Sequence, residues 1–250
     1  MKKNVLYIKN NYQSKNLNNL DNFFDINFSW INSSDLIGKD NYYLKELVNK
    51  YDIIIIGGGP QHITSNYFNT DIYPEIINQI ELVKLVVGSN KMLVGICLGC
   101  QIIGKTFGYN IIQMNKLCVG FNYLDTNSID YNLIKSIDDK FLSKLDFELL
   151  SKSFSFHYDC VCMDFINLSD KLNQELYCIG KSILNIPYII KHSKSNIYGF
   201  QSHPEVTIEC ITNVLKYLQI QKNISDVDIP NINKFNSEIY FHFFDIFINS

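Results

Sequence analysis

Two residue types are missing altogether, because the 250 residues of the chain include neither arginine nor alanine. All 22 basic residues are therefore lysines, which excludes the bidentate arginine clamps that many phosphate-binding sites use. The formal net charge is -3, so the composition gives no basic footprint and argues against nucleic acid as a partner.

Long apolar runs and a regular cysteine pattern are lacking as well. No stretch approaches the roughly 20 apolar residues of a membrane span, and the apolar part of MKKNVLYIKNN is too short for a secretory signal. The seven cysteines are an odd number without regular spacing, which is typical of reduced thiols in the cytosol. We therefore expect a cytoplasmic protein that does not act at a membrane.

A hydrophobic content of 46% over this length is enough for one sizeable core. Apolar β-branched runs alternate with helical patterns, as in a parallel sheet that is covered on both faces. We expect one α/β domain over residues 1–220, a three-layer sandwich with a central, mostly parallel sheet. Residues 221–250 are expected to form a polar linker and an aromatic tail, which packs back on the domain or docks to another chain.

The predicted elements place the motifs described below. The clearest strands are residues 4–10, 52–60, 91–96 and the start of NIYGFQSHPE at residues 196–205. Weaker strand patterns are CVGFNYLDT at residues 118–126 and SFSFHYDCV at residues 153–161. Helical patterns cover residues 74–87, residues 98–108 with a stop at Gly108, residues 206–220 and, within the tail, an amphipathic stretch.

The run MLVGICLGCQIIG, residues 92–104, leads from a predicted strand through Cys97 into a helical pattern. A side chain at that point lies at the carboxyl edge of the sheet and at the start of a helix, where ligands bind and negative charge is favoured. Gly95 and Gly99 complete the pattern G-x-C-x-G, the cysteine version of a nucleophile elbow. The pattern predicts a nucleophile, although buried packing of a free cysteine would also explain it.

A general base for this thiol is predicted in the segment FQSHPEV, which follows an apolar strand. Pro204 favours extended backbone at His203, so the side chains of His203 and Glu205 tend to project to the same side. Glu205 can then accept a hydrogen bond from one ring nitrogen while the other faces Cys97. The three residues would act as nucleophile, general acid/base and orienting group.

Negative charge on a reacting carbonyl needs backbone N–H donors. The run IIIIGGGP ends a neighbouring predicted strand in glycines, and the N–H of Gly59 or Gly58 could face the reacting atom. The N–H of Leu98, directly after the predicted nucleophile, would be the second donor. The same GGGP segment lacks the lysine and hydroxyl of a phosphate-binding P-loop.

Other roles for the cysteines stay open at this point. Cys97 and Cys100 have the spacing of a thioredoxin-like redox pair, but that interpretation leaves SHPE without a function. A zinc site that adds Cys160 and Cys162 fits less well, because Cys-x-Cys is poor spacing for a structural site. The remaining histidines have no partner motif and receive no role: His62, His192 and His242.

Three ordered segments, GGGP, GICLGCQ and GFQSHPE, resemble the signature segments of class I glutamine amidotransferases. The resemblance covers roughly residues 53–218 and is strongest to the stand-alone branch related to the glutaminase domain of GMP synthase. It implies that family's flavodoxin-like fold, a glutamine or γ-glutamyl substrate, and a reaction without metal or organic cofactor.

The resemblance also implies roles for individual residues. Cys97 would attack the side-chain amide of glutamine, His203 would move protons, and Glu205 would orient the imidazole. The oxyanion hole would consist of Gly59 and Leu98, and the substrate-binding positions would be Gly58, Gln101, Gly120, Phe121 and His157. Tyr158 stands where the family's His-Gly-Asp segment has its glycine.

The fate of the released ammonia separates three functions. The residues outside the resemblance are too few for a synthase domain, so we expect ammonia to pass to a synthase that binds in trans. Self-sufficient hydrolysis of γ-glutamyl peptides or conjugates is a second possibility. The third is a non-catalytic binding or regulatory protein with the same fold.

Overall fold

The computed structural model describes residues 2–10, 20–64, 73–163, 175–222 and 236–249. The strands in these ranges are β1 (Lys3–Lys9), β2 (Ile26–Asn32), β3 (Ile53–Ile56), β4 (Met92–Ile96), β5 (Asn110–Gly120), β6 (Ser155–Cys162), β7 (Leu176–Lys181), β8 (Pro187–His192) and β9 (Ile197–Phe200). The α-helices are α1 (Asn41–Lys50), α2 (Pro74–Val86), α3 (Leu98–Thr106), α4 (Tyr131–Ser136), α5 (Phe147–Ser151), α6 (Ile208–Lys222) and α7 (Glu238–Ile248).

Within the described residues, seven strands form one sheet in the order β2-β1-β3-β4-β9-β8-β7. Five neighbouring strands run parallel to one another: β2, β1, β3, β4 and β9. The next strand, β8, pairs antiparallel with both β9 and β7. A separate antiparallel pair consists of β5 and β6. The expected α/β fold with a central, mostly parallel sheet is confirmed.

The sheet separates two large clusters of buried side chains, and a third, smaller cluster lies around Phe154 and Ile211. Because side chains alternate along a strand, Ile53 and Ile55 of β3 join one cluster, and Ile54 and Ile56 join the other. Residues of α1, α2 and α3 complete the second cluster, whereas α4, α5 and α7 complete the first. The uninterrupted isoleucine run is therefore a strand buried on both faces.

Two predicted strands end earlier than expected. β3 ends at Ile56; the N–H of Gly57 still donates to the carbonyl of Ile8 on β1, but the strand does not extend to residue 60. The prediction of a strand over residues 118–126 is wrong beyond Gly120. That glycine has a φ of 130° and Asn122 has a φ of 62°, so the chain turns out of β5 there.

The aromatic tail forms α7, which packs on the same domain. Phe243, Phe244 and Phe247 are buried, and the ring centroids of Phe243 and Phe200 are 5.1 Å apart in a T-shaped arrangement. α6 continues to Lys222, and residues 223–235 of the predicted linker lie outside the described residues. The division of the chain at residue 220 stays a prediction. None of the helices in the described ranges has the length and hydropathy that a bilayer crossing requires.

Candidate active site

Cys97 occupies a single-residue turn between β4 and α3, with φ 52° and ψ -103°. Its N–H donates to the carbonyl oxygen of Phe200 on β9 at 2.8 Å, and its own carbonyl accepts the N–H of Gln101 at 3.1 Å. A positive φ is costly for a residue with a side chain, and such strained residues cluster at functional sites. The turn places the thiol at the carboxyl edge of the sheet, directly before the first residue of α3.

The glycines around Cys97 are required by close backbone packing. A Cβ on Gly95 would overlap the backbone of Gly99, and a Cβ on Gly99 would overlap the carbonyl group of Ile56. The first turn of α3 therefore lies directly against the ends of β4 and β3. The pattern G-x-C-x-G therefore has a steric origin at both of its glycines.

His203 lies in the loop after β9, with its N–H donating to the carbonyl of Phe154 at 2.7 Å. Its Nδ1 is 2.8 Å from Oε1 of Glu205, which is only 2% exposed. The imidazole also lies beside the Cys97 side chain, because a Cβ built on Gly58 would be within 3.5 Å of both. The structure thus brings the predicted nucleophile, base and orienting carboxylate into one chain of contacts.

The charges around His203 favour its protonated form. Burial by itself lowers the pKa of His203, but the charges and hydrogen bonds of Glu205 and Cys97 outweigh it and raise that pKa well above its ordinary value. An imidazolium in this position can pair with a thiolate on one side and a carboxylate on the other. That is the charge distribution a cysteine nucleophile needs.

The glycines after β3 line the same site. A Cβ on Gly58 would be 2.7 Å from Cε1 of His203 and 3.5 Å from Cβ of Cys97, so only a glycine allows this approach. Gly59 lies against the side chain of Leu98, since its Cβ would be 2.9 Å from Cδ2 of that residue. Leu98 is the first residue of α3, and its N–H has no partner within the helix.

His157 on β6 is buried and behaves in the opposite way to His203. Burial, and secondly the charge of His203, lower the pKa of His157 to about 4, although a contact with the backbone of Asp159 opposes the shift. His157 is therefore neutral at physiological pH. It can contribute shape and hydrogen bonding to the site, but it does not supply a second positive charge.

The other predicted substrate-binding residues make contacts within the protein. Gln101 is buried, and its Nε2 donates to the carbonyl of Asp159 at 2.8 Å, which joins α3 to β6. Gly120 pairs with Ser155 at the end of β5. The ring of Phe121 packs 5.5 Å from that of Phe154, beside the loop that carries His203. Their roles toward a substrate stay predictions.

Comparison with known proteins identifies the family of this chain. The family model described as "Glutamine amidotransferase class-I" matches residues 10–216. The chain belongs to the class I glutamine amidotransferase family. The match begins well before residue 53, where the motifs of the sequence first appear, so β2, α1 and the loops around them are part of the family domain.

The individual relatives of this chain are distant. A glutamine amidotransferase-like protein of Acanthamoeba polyphaga mimivirus is 28% identical over 192 residues, which is 77% of this chain and 75% of that protein. One of the subunits of the glutamine-hydrolysing GMP synthase of Sulfolobus acidocaldarius is 25% identical over 182 residues, 68% of this chain and 79% of that relative. The crystal structure of a glutamine amidotransferase from Thermotoga maritima has the same fold, with a TM-score of 0.69 at 13% identity and full coverage of both chains.

Three contacts at or near the candidate site were not predicted from the sequence. Nε2 of Gln201 lies 3.9 Å from Sγ of Cys97, and the thiol lies 3.8 Å from the carbonyl oxygen of Phe156. His62, to which the sequence assigned no role, has its Nδ1 3.0 Å from Oδ2 of the buried Asp159. Each contact joins segments far apart in the chain, so no local pattern could have indicated it.

The Cys-x-x-Cys pair, Cys97 and Cys100, is not arranged for redox chemistry. Cys100 is fully buried, and burial, together with the neighbouring thiols of Cys97, Cys160 and Cys178, raises its pKa well above the ordinary value. A neutral, inaccessible thiol does not act as the resolving partner of a redox pair. Within the described ranges, no group of three or more histidine, cysteine, aspartate or glutamate residues is placed to hold a metal ion.

Proposed function

We propose that this chain hydrolyses the side-chain amide of glutamine and supplies the ammonia to a synthase that binds in trans. The observation that carries the proposal is the contact chain from Cys97 through His203 to Glu205, with the cysteine at a strained elbow. Membership of the class I glutamine amidotransferase family supports the substrate class. In this proposal Cys97 is the nucleophile, His203 the general acid/base, and Glu205 the group that orients and charges the imidazole.

In the first half-reaction, His203 holds the proton of the Cys97 thiol, and the thiolate adds to the amide carbon of glutamine. In this proposal the N–H groups of Leu98 and of Gly59 or Gly58 stabilise the oxyanion, because one residue starts a helix and the others follow a strand end at the same edge of the sheet. His203 then donates its proton to the amide nitrogen. The C–N bond breaks, ammonia leaves, and a γ-glutamyl thioester remains on Cys97.

In the second half-reaction, His203 removes a proton from water, and the resulting hydroxide adds to the thioester carbon. Collapse of this intermediate breaks the C–S bond and releases glutamate. The proton on His203 stabilises the thiolate of Cys97 and restores the starting state. Atoms balance as glutamine plus water giving glutamate plus ammonia.

The partner in trans is supported by one relative. The similar protein of Sulfolobus acidocaldarius is named as a single subunit of a glutamine-hydrolysing GMP synthase, so it is one part of a larger enzyme. A protein of that kind needs a surface for the synthase and a restrained activity without it. We therefore expect slow turnover of glutamine by the isolated chain.

The test measures ammonia and glutamate release by the purified chain, with glutamine or a γ-glutamyl dipeptide as substrate and Cys97→Ser as the blank. Slow, Cys97-dependent release from glutamine, with labelling of Cys97 by a glutamine-like electrophile, is the expected result. Faster turnover of the dipeptide than of glutamine would replace the proposal by self-sufficient γ-glutamyl hydrolysis. Neither turnover nor labelling would indicate a non-catalytic protein of the same fold.

A further inference from the structure

Gln201 contacts the Cys97 sulfur, and none of the steps above uses it. It is the first residue after β9, and its N–H donates to the carbonyl of Tyr188 at 2.9 Å, so its backbone is held by the sheet. Gln201 is fully buried. A fixed backbone and a buried side chain leave the amide group little freedom to turn away from the thiol.

The direction of the side chain follows from the strand. Gly199, two residues earlier, faces α3, because a Cβ there would be 2.8 Å from Sγ of Cys100. Side chains two residues apart in an extended strand share a face, so Gln201 also points toward the start of α3. Its Nε2 reaches 3.9 Å from Sγ of Cys97.

Besides the imidazole of His203, the sulfur has two polar neighbours of different kinds. The carbonyl of Phe156, 3.8 Å away, can only accept a hydrogen bond, so it serves the neutral thiol. The Nε2–H group of Gln201 can only donate, so it serves the thiolate. A hydrogen bond to a charged acceptor is stronger than one to a neutral acceptor, and the amide favours the ionised form.

The amide oxygen of Gln201 lowers the stability of the folded protein. Oε1 of Gln201 is buried and has no hydrogen-bond partner among the described residues. A buried oxygen left without a partner costs about 1–3 kcal/mol, which an apolar side chain of the same length would avoid. A buried group with this cost beside a nucleophile is better explained by the reaction than by the fold.

We propose that Gln201 is a further catalytic residue, whose Nε2–H group stabilises the thiolate of Cys97. The proton of the thiol passes to His203 while Gln201 holds the sulfur, and no bond to Gln201 forms or breaks. The contribution to turnover rests on the proposed function. The stabilisation of the thiolate does not rest on the proposed function, because it concerns the ionisation of Cys97 alone.

The experiment measures alkylation of Cys97 by iodoacetamide as a function of pH, followed by mass spectrometry of the peptide that contains Cys97. Gln201→Met keeps the length of the side chain and removes the N–H donor. We expect the pH midpoint of alkylation to rise by about one unit, the equivalent of one hydrogen bond to a charged group. The melting temperature should stay the same or increase, because the unpartnered oxygen is removed.

Gln79→Met is the matched control. Gln79 is also fully buried, but its Nε2 donates to the side chain of Asn10 at 2.8 Å and to the carbonyl of Glu75 at 3.3 Å. We expect a lower melting temperature and an unchanged alkylation midpoint. If Gln201→Met behaves in the same way, Gln201 is structural and the proposal is wrong.

A second variant, Gln201→Glu, covers the case in which Gln201→Met does not fold. A carboxylate beside the sulfur should also raise the alkylation midpoint, and an unchanged midpoint overturns the proposal. A Gln201-dependent midpoint in a chain that does not turn over glutamine would refute the proposed function and leave this inference in place. Turnover of glutamine that does not depend on Gln201 would support the proposed function and refute this inference.

Discussion

Cys97 and His203 meet at one edge of the sheet, yet the chain holds them in different ways. Cys97 is fixed by the backbone around it, since Gly95, Gly99 and the end of β3 leave space for one path only. His203 is fixed by segments far away in the sequence, including the carbonyl of Phe154. The turn at the nucleophile is therefore marked by a short sequence pattern, whereas the position of the base relative to it depends on tertiary structure.

The helix α7 packs against β9, the strand that leads to His203. Burial, and secondly the charge of Glu205, raise the pKa of Tyr240 on this helix. One turn further, Phe243 packs against Phe200, the residue whose carbonyl receives the N–H of Cys97. A segment that looks like an appendage in the sequence thus covers the back of the site.

The strongest test of this dependence is Phe243→Ala. Phe243 is 1% exposed, and removal of a buried phenyl ring leaves a cavity under β9, so we expect a loss of about 4 kcal/mol in the free energy of unfolding. Urea unfolding measures it. Phe241→Ala, on the same helix but 46% exposed, should change stability by less than about 1 kcal/mol. Equal effects of the two substitutions would show that α7 does not support the site.

The backbone packing around Cys97 is tested by Gly99→Ala. The new methyl group would meet the Ile56 carbonyl, which is backbone and cannot turn aside, so we expect a loss of about 3 kcal/mol or more. Gly88→Ala is the control, because Gly88 has open space around it and only its φ of 76° opposes a side chain. That substitution should cost about 1 kcal/mol. Thermal or urea unfolding of both variants would reveal whether steric packing or backbone conformation dominates at the elbow.

The two histidines of the site should respond to acid in different ways. The pKa of His157 is lowered to about 4, so the folded state excludes a proton that the unfolded state binds below a pH of about 6.5. Stability should therefore decrease as the pH falls from about 6.5 to about 4, by roughly 2–3 kcal/mol from this residue. His157→Phe should flatten this part of the stability curve in urea unfolding. A curve of unchanged shape would mean that His157 is protonated in the folded protein.

Among these substitutions, Glu205→Gln should have the smallest effect on the free energy of unfolding. It should have the clearest effect on the pH dependence of kcat/KM. Loss of the charge should lower the raised pKa of His203, so the alkaline limit of kcat/KM should move to lower pH. We expect turnover to decrease by about 10- to 100-fold, less than for Cys97→Ser. Because the pKa of folded His203 is raised, the stability it contributes is present below a pH of about 6.5 and is lost as the pH rises through the folded value.

The exposed Glu209, on the first turn of α6, provides the control for that charge. Glu209→Gln removes the same charge without touching the imidazole, and its pH profile should match that of the unchanged protein. A profile that moves equally in both variants would indicate a general charge effect and would argue against a specific pairing of Glu205 with His203.

Much of the site could be predicted because it is encoded locally. The pattern around Cys97 is a steric requirement of neighbouring residues, and Pro204 directs His203 and Glu205 to the same side within three residues. In contrast, Gln201 reaches Cys97 across 104 positions and His62 reaches Asp159 across 97. Such contacts depend on which strands become neighbours, and β2, β7 and β8 had no pattern clear enough to place them.

The hydrogen bond from the Cys97 N–H to the Phe200 carbonyl has a consequence for heat inactivation. β4 and β9 are adjacent parallel strands, paired in register from Leu93 with Ile197 to Ile96 with Phe200, so the nucleophile and the base leave the same hydrogen-bonded ladder. The distance between them is set by the strand spacing rather than by a flexible hinge. On warming, catalytic capacity should therefore persist until the sheet itself melts, and the temperature of half-inactivation should coincide with the midpoint of global unfolding.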